Sequence, residues 1–402
     1  MSSVMQAGNP RISAPRGHAR RFTSGLISLD QVPAHRWQTL ADNAVDPNGF
    51  FDPSFLIPVI RHMASPGACK VLQSHGADGA LTGLIPFRTA SNALRMPIPA
   101  AIGLFPYVTL GTPLLDSGDI EQTAASLLDG AAGQGIAAIG MPMVAIDGPA
   151  AKAIQTVLSE RGLKAQFINV HERAALKVPE DAEAYLRAGL GSKKLKELRR
   201  QTNRLEDLGP SAWTIARTEP EILAALGRFL TLEANGWKGA RGSSLAQDQA
   251  DRAFVTEAAR NLAARRAIEI VELRSNGDPI ASGIVIRSGR SALYFKTAYN
   301  EAFSRYSPGV QLTVFLTRYL SEQGEIDYVD STAAPGHPMI DHVWRERRRI
   351  GDMLIPTKKG MLPLLSIAAI KGRSVLRRHA KTAYLKFFDR GFGTLRRRKK
   401  RS

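Results

Sequence analysis

Apolar positions along the chain change their period in an order that occurs twice. Residues 69–88, "CKVLQSHGADGALTGLIPFR", hold two β-rich runs around a Gly/Asp turn, and so do residues 268–287, "IEIVELRSNGDPIASGIVIR". Each reads as a hairpin. After the first hairpin the pattern predicts a strand over 104–112, a helix over 119–134, a strand over 136–144 and a helix over 148–161. After the second it predicts a strand over 291–299, a helix over 308–323, a strand over 325–330 and a helix over 338–348. Strands alternating with helices make an α/β fold, a mixed central sheet with helices on its faces. The recurrence predicts an internal duplication into two tandem units.

Between the halves lies "GSKKLKELRRQTNRLEDLG", residues 191–209. Leu195, Leu198, Thr202 and Leu205 recur at helical spacing, and Gly209 before Pro210 ends the helix. Lys193, Lys194, Lys196, Arg199, Arg200 and Arg204 make it basic, either as a solvated face or as a wall beside an anionic ligand. The longest charge-free apolar stretch, residues 96–115, has the length of a membrane helix, but its prolines and glycines fit buried strands and turns.

Composition narrows the picture. The chain has 402 residues, and its hydrophobic fraction of 44% is that of a globular protein with a sizeable core. Its single cysteine, Cys69, excludes an internal disulfide and a cysteine-built metal site, and reads as a small buried hydrophobe. The net charge is +18, but residues 371–402 alone hold thirteen Lys/Arg and one Asp, a net +12. The basicity therefore belongs chiefly to the tail. There Leu376, Ala380, Ala383, Tyr384, Phe387 and Phe388 share a helical face, with "RRRKK" near the end. A basic amphipathic helix on an anionic membrane, a nucleic-acid contact, or a stripe packed on the domain would each explain it. Residues 1–24 are basic and polar, with no signal-peptide core, so a cytoplasmic location is expected, peripheral on the inner membrane face if the tail docks there.

The junction near residue 307 carries the first candidate chemistry. A helix N-terminus bears roughly half a positive charge and unpaired amides, which suit phosphate. In "SRYSPGVQL" Ser307 is placed to cap, Pro308 suits the first helical position, and Gly309 leaves room for a ligand. Arg305 adds charge, and no acidic residue lies between Phe303 and Leu320. The matching helix of the first half starts among Asp116, Asp119 and Glu121, which would repel an anion. An anionic donor is therefore expected in the second half.

Three segments, "SKKLKELRRQTNRLEDLG", "FLTLEANGWKGARGSSL" and "YFKTAYNEAFSRYSPGVQL", together resemble the CelD/BcsL-type acetyltransferases of the GNAT superfamily, in order and spacing, over about residues 185–345. That family is similar to the Fem-type transferases, which also carry two GNAT-like units. The resemblance implies a double GNAT fold, a degenerate unit over 25–175 and an acyltransferase unit over 176–360; the residue pattern adds a disordered basic tail over 1–24 and a basic amphipathic tail over 361–402. It implies acetyl-CoA or another acyl-CoA as co-substrate, with no metal. Arg305, Tyr306, Ser307, Gly309 and Val310 would cradle the pyrophosphate. Because the loop holds one glycine and a proline rather than several glycines, aminoacyl-tRNA stays open as another donor.

Such an enzyme needs a proton acceptor and a group to steady the oxyanion. Asp330 ends a strand on the ligand-binding edge of the sheet, as base or orienter of the acceptor. His337 follows it, with a pKa range suited to proton transfer. Lys296 and Tyr299 lead into the junction, and alternation predicts that at most one of them faces a ligand. Trp237, Asp341 and Arg345, with His342 beside them, are the candidate acceptor contacts, although Asp341 and Arg345 at helical spacing would also suit a surface ion pair. The resemblance points to a polysaccharide or envelope precursor as acceptor. A non-catalytic module binding an envelope-synthesis partner, and a tRNA-dependent transferase, are the competing functions.

Overall fold

The computed structural model describes residues 22–65, 67–236, 239, 242 and 244–377. Its first-half strands are β1 (Thr23–Ser28), β2 (Cys69–His75), β3 (Leu81–Thr89), β4 (Ala100–Ile102), β5 (Leu114–Leu115), β6 (Ala138–Ala145) and β7 (Gln166–Lys177). The second half supplies β8 (Ser211–Ala216), β9 (Ile268–Ser275), β10 (Asp278–Ser288), β11 (Ser291–Tyr299), β12 (Tyr328–Asp330) and β13 (Glu346–Pro356). Both expected hairpins form, as the antiparallel pairs β2/β3 and β9/β10.

The two halves share one plan. In each, four strands run antiparallel, a helix crosses over, and a strand returns parallel to the fourth. The first half does this with β1–β4, the helix Ile120–Gly133 and β6. The second does it with β8–β11, the helix Pro308–Gln323 and β12. Asp119 caps the first of these helices, its carboxylate accepting from the Gln122 amide at 3.1 Å.

The halves then exchange their last strands. β13 runs beside β6, with Ile350 opposite Ala145, and β7 runs beside β12, with Lys177 opposite Tyr328. β7 and β13 also pair with each other, so one sheet continues through both halves in the order β1-β2-β3-β4-β6-β13-β7-β12-β11-β10-β9-β8. The expected division at 175/176 falls inside β7. The core is shared as well. Phe55 from the first half meets Phe254 and Phe295 from the second edge to face, at ring distances of 5.3 and 5.5 Å.

Two elements differ from expectation. The segment 338–348 is turns followed by the start of β13, because β7 offers Glu346, Arg347 and Arg348 a strand edge, a stronger claim than a local helical pattern. The segment 104–112 is a loop, since Pro106 and Pro113 have no N–H to give a ladder. It is tied down by Arg173 Nη1 on the Thr109 carbonyl at 2.7 Å, and by Asn48 Nδ2 on the carbonyls of Leu110 and Thr112. The linking helix starts earlier than its basic run, at Ala182, and breaks at Gly191, whose φ of 75° only glycine adopts cheaply. It buries Leu198 and Leu205 as the spacing predicts. Among the described residues no helix is long and apolar enough to cross a membrane.

Candidate active site

The sheet opens where β11 and β12 part. They pair for three residues, from Ser291 opposite Tyr328 to Leu293 opposite Asp330, and no further. Just past that point β11 bulges. Tyr294 faces Val285 on β10 and Lys296 faces Ile284, so Phe295 is an extra residue. A bulge bends its strand and re-aims the side chains beyond it. Two adjoining cavities open there. One, of about 240 Å³, is lined by Tyr107, Lys296, Thr297, Thr332 and His337. The other, of about 360 Å³, is lined by Glu233, Thr297, Tyr299, His337 and Met339. Thr297 and His337 border both.

The polar groups in this cleft come from both halves. The Lys296 ammonium lies 3.6 Å from Glu233 Oε1 and 5.0 Å above the Tyr107 ring. Glu233 is 2% exposed, and its other oxygen accepts from the Leu245 amide at 2.9 Å. Tyr107 stands in the first-half loop at a φ of 60° and donates to Asp251 Oδ2 at 2.6 Å. Burial, then that bond to Asp251, pushes the phenol well above its usual range, so it stays protonated at neutral pH. The sequence alone did not single out Tyr107, Glu233, Asp251 or Thr332. Glu233 did leave a signal: it continues the apolar stripe Ile222, Leu226, Phe229 of the helix Glu219–Asn235, where a carboxylate is out of place.

Asp330 ends β12, as expected, and is fully buried. Its Oδ2 accepts from Arg173 at 2.6 Å and Arg348 at 2.8 Å, and its Oδ1 from the Thr332 amide at 2.9 Å. Burial alone would raise this carboxyl; the two guanidiniums outweigh burial and hold it below the usual carboxylate range. Both oxygens are engaged, so the group ties β7, β12 and β13 together. It also sets Thr332, whose hydroxyl donates to the Tyr294 carbonyl at 2.8 Å, behind the bulge.

The junction helix starts at Pro308 with no acid in its first turn, as expected. Ser307 does not cap it with its side chain. It sits in the left-handed region at φ 51°, and its carbonyl, not its hydroxyl, accepts from the Val310 and Gln311 amides at 3.0 Å each. The room beside Gly309 is taken: a Cβ there would lie 2.2 Å from Met339 Sδ. Tyr306 is buried, Val310 is half-buried, and exposed Arg305 stacks on Tyr306 at 4.7 Å.

Lys296 and Tyr299 border neighbouring cavities. Asp341 and Arg345 are on a turn and the approach to β13, not on one helix, and no ion pair joins them. Asp341 accepts from the Gly336 amide at 2.9 Å, while Arg345 lies over Tyr185 at 4.5 Å. His342 is exposed, and Trp237 lies outside the described residues. Cys69 is buried, which raises its thiol.

The acetyltransferase (GNAT) domain family matches residues 192–337. No curated protein matches the sequence. Among solved structures, the C-terminal domain of a candidate lysylphosphatidylglycerol synthetase from Agrobacterium fabrum superposes with a TM-score of 0.50 at 14% identity, over 84% of this chain and 95% of that one. FemX superposes with a TM-score of 0.51 at 10% identity, over 82% and 96%. The likeness extends across both halves, and the sequence match covers the half that holds the bulge, the cleft and the junction helix. The chain therefore has a GNAT-type fold, and residues 192–337 of its second half resemble the acetyltransferase (GNAT) domain family.

Proposed function

We propose that the protein transfers an acyl group from acyl-CoA to an amine or hydroxyl acceptor in the cleft between β11 and β12. The observation that carries this reading is the bulge at Phe295, which brings Lys296 and Thr297 to a gap in the sheet ahead of an acid-free helix start. Bound there, the donor supplies a thioester carbon open to direct attack. Exposed Arg305, beside the acid-free start of the junction helix, holds its phosphates. The acceptor forms the new C–N or C–O bond as the C–S bond breaks. His337, which borders both cavities, takes the acceptor's proton and passes it to the departing thiolate. Lys296, held 3.6 Å from Glu233 Oε1, steadies the developing oxyanion. Asp330 and Thr332 act as positioning residues behind the bulge. The acceptor's class, a glycan or envelope precursor, rests on the CelD/BcsL resemblance.

Titration calorimetry with acetyl-CoA and CoA tests this. The wild type should bind in the micromolar range. Arg305→Glu reverses an exposed charge without touching the core, and should weaken binding about tenfold or more. No binding at millimolar donor would reject the acyl-CoA reading. Lys296→Met should leave donor affinity in place and lower turnover by about a hundredfold.

One observation favours a second reading, with aminoacyl-tRNA as donor. The linking helix and the junction helix enclose a groove of about 390 Å³ lined by Arg187, Lys196 and Arg199. None of the three is ion-paired among the described residues, whereas Arg318 beside them is held by Glu183. A tRNA that binds tightly while CoA does not, and loses affinity in Lys196→Glu, would select this donor.

A further inference from the structure

Eight large apolar side chains stand exposed among the described residues, and six of them lie on one helical segment, 361–377. Met361 is 69% exposed, Leu365 59% and Leu376 72%. The segment is not loose. Ser366, Ile367 and Ile370 are buried beneath it, Lys371 donates to Gln166 Oε1 at 3.1 Å, and Asn169 donates to Ser374 Oγ at 2.9 Å. One side is thus fixed on β7. On the opposite side, at 100° per residue, Met361, Leu365, Ala368, Gly372, Val375 and Leu376 fall within ~60° of a single direction. The result is an apolar stripe that faces solvent along a helix of about 25 Å. Lys371 stands on one flank of the stripe and Arg373 on the other.

We infer that this stripe docks on an anionic lipid surface, the helix lying in the plane of the interface. The two halves of the observation select that partner together. Apolar side chains on an outward stripe gain by entering the acyl boundary, and cations on its flanks gain by meeting headgroup phosphates. The segment's own charge is of one sign: no acidic residue occurs from Met353 to Phe388, residues 378–402 add ten Lys/Arg against one Asp, and the neighbouring Asp352 is half-buried and held by Asn169. A nucleic acid would engage the cations and leave the leucines in water. A second copy of this chain would bring a surface of the same sign against them. The inference stands apart from the acyl-transfer reading, since it uses none of the cleft residues.

Flotation of the full-length protein with phosphatidylcholine vesicles, with and without phosphatidylglycerol, tests it. The wild type should float only with the anionic vesicles. Leu365→Glu with Leu376→Glu should cut the partition coefficient about tenfold or more, and Arg373→Ser with Arg377→Ser should cut it about tenfold and flatten its salt dependence. Both pairs are exposed, so thermal melts should match the wild type and exclude misfolding as the cause. Three outcomes would overturn the inference: no flotation of the wild type, flotation of the Glu variant at the wild-type level, or a wild-type dimer that the Glu variant dissociates.

Discussion

Asp330 shows how little of a buried carboxylate's role can be read from its place in the sequence. Its position at the end of β12 was legible from "EIDYVDS"; its partners were not, because Arg173 lies 157 residues away and Arg348 stands in a segment whose spacing reads as a helix rather than a strand. Asp330→Asn should cost about 3–5 kcal/mol in urea unfolding, since it strands the fully buried Arg173 without a counter-charge. The pH dependence has a definite sign. The folded carboxyl titrates below its unfolded value of about 3.9, so its contribution is present above that value and is lost as pH falls through the folded one. The stability curve of Asp330→Asn should accordingly be flatter below about pH 4 than that of the wild type. Lys296 was legible as a candidate because it precedes the junction. Tyr107 left no mark, because a loop residue that reaches a site through strand exchange has no local pattern.

Among the elements, those with strong local patterns formed as expected: two hairpins, two crossover helices and the inner face of the linking helix. The exceptions were segments whose structure depends on distant partners. The run Ile340, Trp344, Arg348 has helical spacing, yet β7 draws its end into the sheet. The junction helix offers a direct test of its own surroundings. Gly309→Ala should destabilise by about 1–3 kcal/mol, because the new Cβ meets Met339 Sδ. Adding Met339→Ala should return part of that loss, and a double-mutant cycle in urea reads the coupling. Strict additivity would mean that Met339 does not press on the helix start.

For the whole molecule, the exchange of β7 and β13 makes the halves one thermodynamic unit. Heating should give a single calorimetric transition with equal calorimetric and van't Hoff enthalpies. Two resolved transitions would mean that the shared sheet and the Phe55–Phe254–Phe295 contacts couple the halves weakly. The same exchange sets a schedule for synthesis. Ala145 on β6 pairs with Ile350, so its edge is complete only after roughly two hundred further residues have been added. At ordinary elongation rates that is an interval of ~10–40 s. Through that time the nascent first half carries an unpaired strand edge, a template for any other extended chain. The interval belongs to the ribosome rather than to the finished protein, and a chaperone that shields β6 until β13 emerges would raise yield without altering the folded protein's stability.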